Sequence, residues 1–434
     1  MDSVARGTLV NLATRLLGVA LVLAITTLVA RIGTEAQGAF ALFTSVEGVL
    51  LALFSGLGLA LARQVSQRGA WPRALTGATV LASALLGVLA GLALLALSTW
   101  GPPAYRWLWL LALAAPVLLQ APNLQGLWLG AGRMLPMARL ALAPPLLALL
   151  LVGALALLQR AQLGGVLLAW VLAKVAVGGV LVAWLWRSGR LAAPDLRALR
   201  GEAGFIATIG LTNLVALLNY RVGLFVVERL VGLSATGVYS IAVVVAELLW
   251  FVSGSLTQAA YGRIGRPQRE QAAALTVRVM QLGVAALVPA APLLWLLAWL
   301  LVPRLLGPAY AASLLPLALL LPGVLLFGAA GSLSAWFTHH LGRPQVPGQV
   351  AALSLLLNAG LALLLVPRLG SAGAALAASL AYASSVAVLA WRFARSAGLP
   401  LSALVKPSGR APWAALWDGL RSVASPASRR GGRR

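Results

Sequence analysis

The sequence predicts an all-α polytopic membrane protein with about twelve transmembrane helices in two parallel six-helix repeats, and with both termini in the cytoplasm. Three observations support this prediction. The first is composition: 61% of the 434 residues are hydrophobic and only 10% are charged, whereas soluble domains average about 25% charged residues. The second is the recurrence of long apolar runs, and the third is a resemblance between the two halves of the chain.

The apolar runs are long enough to cross a bilayer, which takes about 20 residues. Short connections rich in Arg, Gly and Pro separate them. The predicted spans are roughly 8–30, 38–61, 75–98, 105–129, 136–158, 163–186, 204–229, 235–258, 277–302, 310–337, 346–366 and 371–393. The first run is too long for a cleaved signal peptide and carries Arg15 near its centre, so we predict a span there.

The basic residues predict the orientation of these spans. If the N terminus is cytoplasmic, 24 of the 33 Lys and Arg residues fall on that side, and six fall on the other. Cytoplasmic loops carry the excess of positive charge in membrane proteins. The formal net charge of +24 is therefore explained by topology, and we do not expect nucleic acid as a partner.

The two halves carry matching segments. "LVARIGTEAQGAFALFTSVEG" at 28–48 aligns with "VERLVGLSATGVYSIAVVVAE" at 227–247, which pairs Gly33 with Gly232, Gly38 with Gly237 and Phe40 with Tyr239. "GAGR" at 130–133 echoes "HLGR" at 340–343, and 162–173 echoes 370–381. Six spans in each half make the repeats parallel, an architecture found in transporters that move substrate between their halves by alternating access.

These repeats define the predicted domains. They are an N-terminal six-helix bundle at 1–187, a cytoplasmic amphipathic linker at 188–203, a C-terminal six-helix bundle at 204–395 and a basic cytoplasmic tail at 396–434. Leu191, Leu196 and Leu199 fall near one helical face of the linker, which is typical of a helix on the membrane surface. In the tail, Trp413 and Trp417 have helical spacing before a basic terminus, which favours either a lipid-bound helix or a solvated tail.

Apart from the arginines near span ends that were counted with the loops, six ionisable residues fall inside predicted spans: Arg15, Glu47, Lys174, Arg221, Glu228 and Glu247. A charge at the centre of a span costs roughly 2.5–3.5 kcal/mol on insertion scales, so such residues usually pair, face a cavity or act in function. We predict a central substrate cavity with an excess of cations. The predicted substrate-binding residues are Arg15, Arg221, Lys174, Glu47, Glu247, Asn11, Asn213, Asn219 and Tyr220.

Arginine suits phosphate oxygens, and Asn and Tyr supply neutral hydrogen bonds to sugars. The alternative is structural ion pairing, for instance of Arg15 with Glu47. We expect no enzyme activity and no cofactor, because no catalytic constellation and no nucleotide-binding motif is evident. His339 and His340 are adjacent and point to different helix faces, so they make a poor metal site.

The chain resembles Wzx-type polysaccharide flippases of the multidrug/oligosaccharidyl-lipid/polysaccharide exporter superfamily. The resemblance lies in "NLATRLLGVALVLAITTLVARIGTEAQGAFAL", in "LLGPAYAASLLPLALLLPGVLLFG" and in the run from His340 to Ala383. It implies a MATE-like fold in the bacterial inner membrane. It also implies translocation of an undecaprenyl-pyrophosphate-linked oligosaccharide, with Arg15, Arg221 and Lys174 in the cavity, and membrane lipids and other polysaccharide assembly proteins as partners.

Two other functions remain open. A cation-coupled multidrug antiporter of the same superfamily is expected to have a more acidic cavity than the one predicted here. A membrane polysaccharide polymerase or ligase needs a large extracytoplasmic loop, and none of the predicted outer loops is long.

Overall fold

The computed structural model describes residues 2–68, 71–251, 253, 254, 257, 264 and 268–406. All regular structure in these residues is helical, and twelve helices are long and apolar enough to cross a membrane, as predicted. They are α1 (Asp2–Ala30), α2 (Thr34–Arg68), α3 (Arg73–Trp100), α4 (Leu108–Gly130), α5 (Met134–Leu157), α6 (Leu163–Arg187), α7 (Ala203–Leu230), α8 (Leu233–Phe251), α9 (Arg269–Leu306), α10 (Pro308–His340), α11 (Gln345–Leu369) and α12 (Ser371–Ala397).

Several helices are longer than their predicted apolar runs. The largest differences are in α2, which continues to Arg68 at its C-terminal end, and in α9, which begins at Arg269. Hydropathy detects the part of a helix that suits hydrocarbon, whereas backbone hydrogen bonding continues through the polar turns at either end. The predicted spans therefore lie at the correct positions, but several of them are shorter than the helices.

The fourth span is a broken helix. It consists of three consecutive segments, Leu108–Leu118, Gln120–Leu124 and Gly126–Gly130, with Pro116 inside the first. Two buried polar side chains hold it against α3: the Gln120 amide donates to the Val80 carbonyl at 3.1 Å, and the Asn123 amide donates to the Ser83 hydroxyl at 3.0 Å. Hydrogen bonds across helices are a common means of association in membranes.

The helices form two compact units. The first comprises the chain up to Glu228 with Gly232–Gly237 and Leu305–Gly307, and the second comprises Arg229–Val231, Val238–Arg304 and the chain from Pro308 onward. In the first unit, α3 packs along α4, and α5 packs along both α1 and α6. In the second, α12 packs along α10 and α11. The predicted bundle boundaries at 187 and 204 stay a prediction.

Matched turns have the same conformation in the two halves. Gly33 and Gly232 precede α2 and α8 and have φ values of 149° and 109°. Gly132 and Gly342 precede α5 and α11 and have φ values of 65° and 63°. L-residues rarely adopt such values. The glycine pairs that the sequence alignment identified are therefore structural equivalents.

Of the two predicted peripheral segments, the linker lies within the described residues and the tail lies within them only in part. The linker contains one short helix, Leu196–Gly201, and before it the amides of Ala192 and Asp195 donate to carbonyls at the start of α3. The tail is described to Lys406. The side-chain amide of Gln281 on α9 donates a hydrogen bond to the Lys406 carbonyl at 2.8 Å. The predicted helix around Trp413 and Trp417 lies outside the described residues.

Candidate functional site

A buried ion pair joins α2 and α6 inside the first unit. The Lys174 ammonium donates to one carboxylate oxygen of Glu47, and the Trp170 indole donates to the other at 2.7 Å. Glu47 is 2% exposed and the Lys174 side chain is 20% exposed. Because Trp170 and Lys174 are one helical turn apart on α6, one face of that helix presents two donors to a single carboxylate.

Aromatic rings enclose this ion pair. The Lys174 ammonium lies 4.1 Å from the centre of the Trp170 ring, and the Phe40 ring meets Trp170 edge-on with the ring centres 5.4 Å apart. A cation over the face of a tryptophan is attracted by the ring quadrupole. The cluster of Glu47, Lys174, Trp170 and Phe40, here called the α2–α6 cluster, is therefore a charge pair shielded by apolar rings.

The α2–α6 cluster brings together two of the predicted site residues and adds one that sequence reasoning missed. Glu47 pairs with Lys174 and not with Arg15, the partner suggested for it as an example of structural ion pairing, and the alternative of structural ion pairing stays open. Trp170 lies in an otherwise apolar run. Its spacing of four residues from Lys174 was the signal that could have identified it.

The predicted residues of α7 occupy different faces of that helix. Asn213 is exposed and donates to the Ser55 hydroxyl of α2 at 2.8 Å, which places it at a helix crossing. Asn219 is 1% exposed and is buried on the same face as Gly223. Tyr220 and Arg221 are half-buried. Their roles in substrate binding stay predictions.

The three other residues of the predicted site belong to α1 and α8. Arg15 is exposed on α1, whereas the side chain of Asn11 lies outside the described residues. Glu247 is half-buried on α8, in the second unit. Glu228, the remaining carboxylate inside a span, accepts a hydrogen bond from the Tyr105 hydroxyl at 3.2 Å.

The second unit has aromatic residues where the first has an ion pair. The repeat alignment places Tyr382 at the position of Lys174. Tyr382 is 3% exposed, and its ring lies 5.0 Å from Phe327 and 6.4 Å from Trp250, centre to centre. The repeats therefore share their backbone turns but differ in the chemistry of their buried side chains.

A second feature of the first unit is a seam between the first turns of α2 and α8. The hydroxyls of Thr34 and Ser234 lie 2.8 Å apart. A Cβ on Gly38 would meet the Leu233 carbonyl oxygen at 2.0 Å, and a Cβ on Gly237 would meet the Thr34 carbonyl oxygen at 1.9 Å. These contacts are reciprocal between repeat-equivalent residues, and only glycine allows such an approach. We call this contact the glycine seam.

The surroundings of the glycine seam include a further bond and a cavity. The Arg31 guanidinium at the end of α1 donates to the Leu305 carbonyl at 3.1 Å. A cavity of about 690 Å³ adjoins the seam and is lined by Thr34, Ser234, Arg106 and Trp107, among others. The first turns of α2 and α8 therefore meet beside this cavity.

The comparisons with known proteins identify the fold. No protein-family model and no curated protein matches the sequence. Solved structures match over nearly the whole chain. One is an inward-facing multidrug resistance MATE family transporter of the MOP superfamily, with 18% identity, a TM-score of 0.74, and coverage of 90% of this chain and 96% of that one.

Two more structures extend this likeness. An outward-facing multidrug resistance MATE family transporter matches with 17% identity and a TM-score of 0.61, over 94% of this chain and 97% of that one. A MOP superfamily transporter from Pyrococcus furiosus, for which the reverse polarity of the binding pocket suggests a different function, matches with 17% identity and a TM-score of 0.62, over 93% and 96%. The chain is a multi-pass membrane protein with the fold of MATE transporters of the MOP superfamily.

Proposed function

We propose that this chain is a membrane transporter that works by alternating access and exports an amphiphilic substrate. The observation that carries the proposal is the match to MATE family structures in both an inward-facing and an outward-facing conformation. A fold seen in two conformations that open to opposite sides suits a carrier. The two parallel repeats are also typical of alternating-access transporters.

The glycine seam supports the same proposal. With the predicted N-in topology, the seam lies on the outer side of the membrane. A contact made of glycine backbones and two hydroxyls holds few side chains in place, so it can form and separate repeatedly.

The first candidate substrate class is that of multidrug exporters, and the structural comparisons favour it. Two of the matching structures are of multidrug resistance transporters. A cation-coupled antiporter needs a carboxylate that exchanges its partner. The α2–α6 cluster offers Glu47, whose carboxylate is held by Lys174 and Trp170 in this conformation.

The second candidate is flipping of a polyprenyl-pyrophosphate-linked oligosaccharide in the bacterial inner membrane, and the charge of the spans favours it. Among the six ionisable residues assigned to spans, the first unit holds the three cations Arg15, Lys174 and Arg221 and the two carboxylates Glu47 and Glu228, which gives a net formal charge of +1. The structure from Pyrococcus furiosus is described as having reverse pocket polarity. The fold is therefore found with binding pockets of more than one polarity.

The test is a paired assay on the purified chain in proteoliposomes. One arm measures ethidium movement driven by an imposed proton or sodium gradient. The other measures the transfer of a fluorescent polyprenyl-pyrophosphate oligosaccharide between leaflets, read by a quencher that reaches only one side. Protein-free vesicles are the control for both arms.

The outcomes separate the candidates. Gradient-dependent ethidium movement supports the multidrug antiporter, and transfer of the labelled glycolipid supports the flippase. For the flippase, Arg221→Ala abolishes transfer and Arg221→Lys recovers part of it, because a guanidinium binds phosphate through two parallel hydrogen bonds and an ammonium does not. If neither arm shows activity, the proposal of an amphiphile exporter is contradicted.

A further inference from the structure

An apolar groove lies between α2, α3, α7 and the linker helix of the first unit. Its volume is about 520 Å³, which is within the range of roughly 300–1,000 Å³ for ligand pockets. All but one of its lining residues are apolar. The lining comprises Leu53, Phe54, Leu57, Ala82, Leu86, Leu196, Leu199, Arg200, Ala203, Ile206, Ala207 and Leu211.

The groove sits where α2 and α7 cross at close range. A Cβ on Gly56 would meet the Ile206 carbonyl oxygen at 2.1 Å, and a Cβ on Gly210 would meet the Leu53 carbonyl oxygen at 2.2 Å. The Asn213–Ser55 hydrogen bond fixes the same crossing. These contacts fix α2 and α7 against each other beside the groove.

The groove is accessible from outside the protein within the bilayer. Leu53 on α2 is 38% exposed and Leu211 on α7 is 60% exposed, and both belong to membrane-spanning helices. Leucines exposed on membrane-spanning helices are suited to contact with lipid chains. The natural occupant of an apolar channel open to the bilayer is therefore an acyl chain.

One residue that lines the groove, Arg200, carries a positive charge. Arg200 is exposed on the linker helix, and it forms no ion pair with any described residue. The nearby carboxylate of Glu202 is already occupied, because it accepts from Gln64 at 2.7 Å and from Arg63 at 3.4 Å. Asp195 is engaged at the start of the linker helix, where it accepts from the Arg197 amide at 3.0 Å.

We infer that this groove binds an anionic phospholipid, with one acyl chain in the channel and the phosphate on Arg200. Basic residues next to the membrane on the cytoplasmic side attract anionic headgroups, and basic pockets between membrane helices bind them specifically. The bound lipid then contacts both the linker helix and the membrane-spanning helices beside it. The inference does not depend on which substrate the protein exports.

The test is native mass spectrometry of the full chain in detergent, titrated separately with dioleoyl-phosphatidylglycerol, dioleoyl-phosphatidylcholine and a polyprenyl phosphate. We expect tighter binding of phosphatidylglycerol. Arg200→Gln weakens it about tenfold, as expected for loss of one hydrogen bond to a charged group. Ala207→Phe fills the channel and weakens both lipids. Arg187→Gln is the matched control, because Arg187 is exposed on the same predicted face and does not line the groove.

Three results overturn the inference. The first is equal weakening by Arg187→Gln and Arg200→Gln, which indicates diffuse surface charge. The second is unchanged lipid binding in Ala207→Phe when its melting temperature matches that of the wild type. The third is binding of a polyprenyl phosphate without binding of phosphatidylglycerol, which assigns the groove to a substrate tail. If Ala207→Phe is unstable, the comparison of Arg200→Gln with Arg187→Gln decides alone.

Discussion

At the scale of single residues, the Glu47–Lys174 pair is the feature with the largest expected effect on stability. Removing one partner of a buried ion pair leaves a charge without compensation and costs roughly 3–5 kcal/mol. Lys174→Met leaves a carboxylate that is 2% exposed with only the Trp170 bond. We therefore expect a large fall in the melting temperature of Lys174→Met, measured by size-exclusion chromatography after heating in detergent.

The double variant Glu47→Gln/Lys174→Met separates pairing from simple loss of side-chain packing. Without either charge, it is expected to be more stable than Lys174→Met alone, with a coupling of about 0.5–3 kcal/mol. The matched control is Arg63→Gln. Arg63 forms an ion pair with Glu202 at 3.4 Å, and the Arg63 side chain is 48% exposed. Loss of an exposed ion pair should lower the free energy of unfolding by only about 0–1 kcal/mol. Additive effects of Glu47→Gln and Lys174→Met contradict the pairing.

The sequence predicted which residues carry charge in the spans but not which of them meet. Glu47 and Lys174 are far apart in the chain, and their contact depends on how α2 packs against α6. From the sequence, both Glu47 and Glu247 were placed in a single substrate cavity. The structure gives Glu47 a partner whose repeat equivalent is Tyr382, so sequence symmetry was a poor guide to side-chain chemistry at this position.

At the scale of helices, the glycine seam fixes how the first turns of α2 and α8 meet. Gly237→Ala places a Cβ 1.9 Å from the Thr34 carbonyl oxygen, so the closed seam cannot form without a backbone shift. We expect this variant to favour the open seam. The measurement is the rate at which a membrane-impermeant maleimide labels Ser234→Cys, with and without Gly237→Ala, in sealed vesicles of known orientation.

Gly153→Ala is the matched control for this prediction. A Cβ at Gly153 meets nothing within 4 Å, and the residue lies inside α5. Alanine is a better helix former than glycine by about 1 kcal/mol, so this variant is expected to be neutral or slightly stabilised, with unchanged labelling. Slower or equal labelling in Gly237→Ala means that the seam does not open in the way we describe.

The helices themselves were the most predictable part of the molecule. Each span is a local property of about 20 apolar residues, and the turn glycines that precede α2 and α8 are local as well. Helix crossings are not local. The Ser55–Asn213 bond depends on how two helices cross, and Gln120 and Asn123 were not recognised in an apolar background.

At the scale of the whole molecule, orientation in the membrane is the next prediction to check. The distribution of basic residues predicts cytoplasmic N and C termini. A reporter that is active only in the cytoplasm should be active when fused after Arg434, and a periplasmic reporter should be active near Arg160. The reversed pattern of activities contradicts N-in topology and moves the glycine seam to the other side of the membrane.

The measurement that tests the central claim most directly is reversible locking of the glycine seam during transport. The chain contains no cysteine, so Thr34→Cys/Ser234→Cys introduces one defined pair at side chains that lie 2.8 Å apart. A disulfide there holds the seam closed, while each single-cysteine variant serves as control. The readout is the proteoliposome arm in which the wild type is active. Alternating access predicts that oxidation stops transport and that reduction restores it; undiminished transport by the fully cross-linked protein contradicts it.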